Sequence, residues 1–232
     1  MESYDIVLSI GVSCKTAFYL KIFKLREFAN PMDWVICSFY EQINLYENKF
    51  NDFFDNYVEI TNENIGEKDY RKVYDKKNKI LSMHHIRKDI PLDEAIKEFK
   101  ELMIKRYNRL NQKLIDSHSI LLVLDEHMDI MTVKELLIRF SKIYPNKKIT
   151  LINIYNSNYE EEKDRNEITN KITEKDKKII EEEYKINNNL KIIRYIFNDT
   201  YFKIIKYPKE NFKWIGNFYC WKKIIKNYKL AK

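Results

Sequence analysis

Cysteine is scarce in this chain and unpaired in pattern. The three residues Cys14, Cys37 and Cys220 are odd in number and form no CxxC pair, which argues against a disulfide framework and for a reducing compartment. No stretch approaches the roughly 20 consecutive apolar residues of a spanning helix. The opening MESYDIVLSI is acidic before its apolar run, so the run reads as a strand, not as a signal peptide. A cytoplasmic protein without membrane association is expected. Glycine and proline number only three and four beside abundant Lys, Asn, Ile and Tyr. That bias looks genomic and carries no functional information.

Charge of one sign is also missing as a block. The 42 basic residues interleave with 35 acidic ones, so the net charge of +7 forms no stripe of the kind that tracks nucleic acid. What is present is apolar side chain, 44% of residues against 33% charged, enough for a sizeable core. One domain spanning 1–232 is expected, with a charged excursion at about 159–189 that reads as a solvated helix or a mobile segment.

The pattern predicts an α/β fold: a mostly parallel central sheet with helices on both faces. Asp5 to Ile10 reads as a strand ending at Gly11, with a helix starting near Cys14. Asn30-Pro31-Met32-Asp33-Trp34 reads as a loop, and 38–54 returns to helical spacing. Ile80 to His85 reads as a second strand. Pro91 sits at the first turn of a long amphipathic helix running to about Ser117. Ser119–Leu124 and Ile149–Ile154 are apolar strands flanking a helix around 133–140, a unit expected to be a right-handed parallel crossover. A strand at 190–197 and a basic helix from about Phe218 follow.

The strongest chemical candidate is Ser9-Ile10-Gly11-Val12-Ser13-Cys14. A thiol at a helix N-terminus meets unsatisfied N–H groups and a positive dipole end, which favour the thiolate and can hold an oxyanion. Gly11 would allow the tight turn, and Ser13 would line the same site. A buried, inert packing cysteine is the plainer alternative. His84 and His85 end a strand, where adjacent side chains point to opposite faces, so only one is expected to meet Cys14. Asp33 or Asn30 could orient a histidine, although Asp33 could equally cap the next helix. Asp125-Glu126-His127-Met128-Asp129 matches no metal-ligand spacing, and neither metal nor cofactor is expected. Lys105, Arg106 and Arg109 could contact an anion but read better as a solvated helix face.

Together these residues resemble a bacterial and viral domain family described as papain-like cysteine peptidases. The resemblance is carried by IVLSIGVSCKTAFYLKIFKLREFANPMDW at 6–34, with its Leu25-Arg26 pair and its Pro31-Met32-Asp33-Trp34 loop. It continues through SMHHIRKD and KRYNR, and weakly to about Leu124; Trp214 and Trp221 belong to its C-terminal part. Met32 stands where the family carries Phe. The resemblance implies a Cys14 nucleophile with a His84 base, His85 falling at an adjacent position, and a papain-like α+β arrangement as the alternative fold.

The expected activity is hydrolysis or transfer at an acyl centre, acting on a peptide, amide or other acyl compound, with a dyad or triad from Cys14, His84, Asp33 and Asn30. Gly11, Ser13 and His85 would contact the ligand. The rival expectation is a non-catalytic or transferase-type module that binds a nucleotide or sugar phosphate at the same helix N-terminus.

Overall fold

The computed structural model describes residues 1–12, 14–61, 69–158, 172–200 and 214–231. Eleven strands and five α-helices are described: β1 (Glu2–Tyr4), β2 (Ile6–Ile10), α1 (Cys14–Ile22), β3 (Val35–Ile36), α2 (Phe39–Glu47), β4 (Tyr57–Glu59), β5 (Tyr70–Asp75) and β6 (Ile80–Arg87) come first. Then follow α3 (Leu92–Asp116), β7 (Ser119–Asp125), α4 (Ile130–Ile143), β8 (Lys148–Asn156), β9 (Ile180–Lys185), β10 (Leu190–Phe197), α5 (Phe218–Ile225) and β11 (Tyr228–Leu230). No described helix is long and apolar enough to cross a membrane.

The strands form three sheets. The largest has the order β2-β7-β8-β10-β9, with β2, β7, β8 and β10 parallel and β9 antiparallel at the edge. The expected parallel trio of strands is therefore present, and α4 is the crossover between β7 and β8. The apolar runs of these parallel strands are buried. Ile6, Leu8, Ile120 and Leu122 pack in one apolar cluster with residues of α3 and α4. Val7, Leu121 and Val123 pack in a second with residues of α1 and α5.

The second sheet, β3-β6-β5-β4, is wholly antiparallel. The histidine strand β6 lies here, paired with β3 and β5, and not in the parallel sheet. An apolar run reveals a strand but not its partner. The third sheet pairs β1 with β11, so the two ends of the described chain lie side by side.

Two further expectations change. The helical spacing over 38–54 is realised only to Glu47. Lys49, Phe50, Asp52 and Phe54 then take left-handed backbone conformations, and the buried Asp75 holds this turn by accepting the Phe54 N–H at 2.7 Å. The apolar residues Phe50, Phe53 and Phe54 are buried all the same, so the spacing signalled core without signalling helix. In the charged excursion, 180–185 is a strand rather than a helix, while 159–171 lies outside the described residues.

Candidate active site

Cys14 is the first residue of α1, at the carboxyl end of the parallel strand β2. The turn between them depends on Gly11, whose φ is +100°, and a Cβ there would meet Leu124 Cδ1 at 2.9 Å and the Asp125 carbonyl at 3.1 Å. Only glycine accepts both the angle and the approach. Buried Gln42 holds the turn from below, its amide donating to the carbonyls of Gly11 and Cys37, each at 3.0 Å. Ser13 lies outside the described residues.

Cys14 opens into a cavity of about 670 Å³ shared with both histidines, and with Val12, Trp34, Ile36, Tyr70, Leu81, Met83 and Trp214. A slightly larger groove of about 760 Å³ runs along α3 beside Phe54 and Ile104, but none of its described lining residues is a cysteine or histidine. The chemistry therefore points to the smaller space.

Both His84 and His85 are among the residues that line the cavity. Arg71 pairs with Ile86 and Val73 with Ser82, so Met83, His84 and His85 together oppose Lys72. This bulge breaks the period of two and re-aims the side chains. The two rings nevertheless differ. His84 stands edge-on to Trp34, with centroids 6.4 Å apart. His85 stacks on the core residue Phe99 at 5.3 Å, its buried Nδ1 without a hydrogen-bond partner. Burial, then the nearby positive charge of Arg106, lowers its pKa to about 4.

Asp33 is buried at the centre of a polar cluster. Its Oδ1 accepts the Ser9 hydroxyl at 2.5 Å, and its Oδ2 accepts Arg26 Nη1 at 2.9 Å and the Asn30 N–H at 2.8 Å. Burial raises the Asp33 pKa against the pull of these three donors. Among the described residues none of its hydrogen-bond partners is a histidine, and the cap of the next helix is Ser38, not Asp33. Asn30, also buried, gives its backbone N–H to this carboxylate, so both expected orienting residues serve the loop that carries Trp34.

The thiol does not behave as its helix position alone would dictate. Burial pushes the Cys14 pKa up to about 11, the negative charge of Asp33 adds to this, and the residue's own backbone N–H opposes it. The expected lowering is thereby overturned: in an apolar recess the desolvation of a thiolate outweighs one helix end. Cys14 is still the most accessible thiol, since Cys37 and Cys220 are buried. Burial raises their pKa values too, that of Cys220 to about 12.

The acidic and histidine run 125–129 is dispersed by the fold. Glu126 accepts the Phe39 N–H, Asp129 caps α4, and the His127 ring lies 4.2 Å from that of Tyr155. Among the described residues no group of three or more His, Cys, Asp or Glu is placed to hold a metal ion. Arg109 donates to the Ala29 carbonyl at 2.8 Å, Lys105 lines the α3 groove, and Arg106 is half-buried near Asp33 and His85. Arg106 is thus not the solvated residue that charge patterning suggests.

Two features of the site had little or no sequence signal. Arg26 had one, the Leu25-Arg26 pair, but its bond to Asp33 was not readable from spacing. Lys15, Asp199 and Trp221 had none as a group. The buried Asp199 accepts Lys15 Nζ at 2.5 Å, the Trp221 indole N–H at 2.9 Å and the Asn217 N–H at 2.8 Å. It ties the helix that begins at Cys14 to the C-terminal segment that supplies Trp214.

Comparison with curated proteins and with solved structures finds no match. The motif residues at 6–34, here joined around Asp33 and Cys14, lie within a family match over residues 5–226, and the chain belongs to the family described as putative papain-like cysteine peptidase.

Proposed function

We propose that this chain is a cysteine-dependent hydrolase or acyltransferase in which Cys14 is the nucleophile and His84 the general base. The carrying observation is that Cys14, at the start of α1, and His84, on β6 of the antiparallel sheet, line one cavity. With its pKa near 11, the resting thiol is protonated at neutral pH, so the proton must leave as the sulfur attacks. In this reading His84 takes that proton while Sγ bonds the substrate carbonyl carbon, and the carbonyl electron pair moves onto oxygen. In this reading the positive end of α1, whose first residue is Cys14, favours the resulting oxyanion. The carbonyl re-forms, the leaving group departs with the proton from His84, and a thioester remains on Cys14. Water or another acceptor attacks the thioester by the same route, and the thiol regains its proton.

Asp33 acts as a positioning residue. It fixes the loop from Asn30 to Trp34, and Trp34 in turn packs against the edge of His84. His85, held neutral, forms cavity wall. Val12 and Trp214 line the same space from opposite ends of the chain, which supports reading 1–232 as one domain. The two apolar clusters support a central sheet covered by helices on each face. A module for anionic ligands finds less support, because no Lys or Arg is among the described lining residues and Asp33 places negative charge near Cys14.

The reading is tested by following hydrolysis of activated esters and thioesters by the wild-type chain and by Cys14→Ala. Turnover that falls to the uncatalysed rate in the variant is expected. Equal turnover by both chains would remove Cys14 from the reaction.

A further inference from the structure

We infer that the cavity beside Cys14 selects an uncharged, apolar or aromatic acyl group. This rests on Cys14 being the reacting thiol and adds the chemical class of what it meets. Besides Val12, Cys14 and the two histidines, the described lining of this cavity is Trp34, Trp214, Tyr70, Leu81, Met83 and Ile36, with no Asp, Glu, Lys or Arg among the described lining residues. A charged group buried there would lose its hydration without a counter-charge among the described lining residues.

Size agrees with this. About 670 Å³ lies within the usual range for small-ligand sites. Trp214 and Ile36 remain 42% and 41% exposed while lining the cavity, which is apolar surface that an acyl chain would cover.

The wall is also preformed. Trp214 packs against Phe18 with centroids 5.1 Å apart, and the next residue, Ile215, is buried with its carbonyl accepting the Tyr19 hydroxyl at 2.9 Å. Gly216 follows with φ +64°, so close to Asp199 that a Cβ would lie 2.3 Å from Oδ1. A rigid aromatic wall gives selectivity without an ordering cost on binding.

The test measures alkylation of Cys14 by iodoacetamide and its N-butyl, N-hexyl and N-octyl derivatives, by iodoacetate, and by a quaternary-ammonium iodoacetamide. Rates are taken at pH 9 by peptide mass mapping and divided by those with glutathione. The normalised rate should rise roughly three- to fourfold per added methylene, as expected from the burial of one CH₂, until the cavity is full. Both charged reagents should fall at least tenfold below iodoacetamide. Trp214→Ala should flatten the dependence on chain length, a ratio within one protein that does not depend on the folded fraction. A flat series, or a charged reagent that outruns the octyl one, would overturn the inference while leaving the hydrolase reading intact. That reading fails separately if octanoyl esters are turned over equally by wild type and Cys14→Ala.

Discussion

Arg26 donates to the buried carboxylate of Asp33 at 2.9 Å, joining the Leu25-Arg26 pair to the Pro31–Trp34 loop. Ser9 in the first parallel strand completes the cluster. Three separated parts of the sequence pattern are therefore a single hydrogen-bonded unit, and the negative charge of its carboxylate raises the Cys14 pKa.

Asp33→Asn should show both effects. Removing the carboxylate leaves Arg26 half-buried without its partner, a loss on the order of 3 kcal/mol, which urea unfolding would measure. Because the Asp33 charge raises the Cys14 pKa, the same change should shift the midpoint of the Cys14 alkylation rate against pH downward. A stable variant with an unshifted midpoint would mean that Asp33 acts on neither.

Gly11→Ala should destabilise the chain by about 1–3 kcal/mol, since it combines a strained φ with overpacking against Leu124. The contact at 2.9 Å is with a side-chain carbon, but the Asp125 carbonyl at 3.1 Å is backbone and cannot rotate away. Chemical denaturation of the purified variant checks this, and a loss below ~0.5 kcal/mol would show that the turn relaxes freely.

His85 predicts a pH dependence of stability. Its folded pKa, near 4, lies below the unfolded value near 6.5. The unfolded chain therefore takes up the proton first, and the contribution is complete above pH 6.5 and lost as pH falls from there toward 4. Partial exposure reduces the magnitude to about 2 kcal/mol. Comparison of denaturation midpoints for wild type and His85→Phe between pH 7.5 and 4 should show a shallower decline in the variant. Parallel declines would contradict the buried neutral imidazole.

The parallel strands were legible because β7 and β8 are continuous apolar runs, the mark of burial on both faces. The antiparallel sheet was not, since β3 has two residues and β5 mixes charged with buried positions. Of the candidate site, Cys14, His84 and Asp33 stood out from their local residue pattern. Tyr70 and Trp214 did not, because a cavity wall gathered from distant segments leaves no spacing to read. The direction of the Cys14 shift was misread for the same reason: a helix terminus is visible in sequence, while the recess that buries the sulfur exists only in the fold.

The central claim, that Cys14 attacks with His84 as its base, is tested most directly by trapping the acyl intermediate. The chain would be mixed with p-nitrophenyl butyrate, quenched in acid within one turnover and peptide-mapped. The account predicts a butyryl group on Cys14, formed about 10² to 10⁴ times more slowly in His84→Ala, the range expected for a lost general base. In His85→Ala the rate should stay within about tenfold of wild type, because a neutral wall residue moves no proton. Acylation of Cys14 at equal rates in wild type and His84→Ala, or butyryl found only on other residues, would contradict the account.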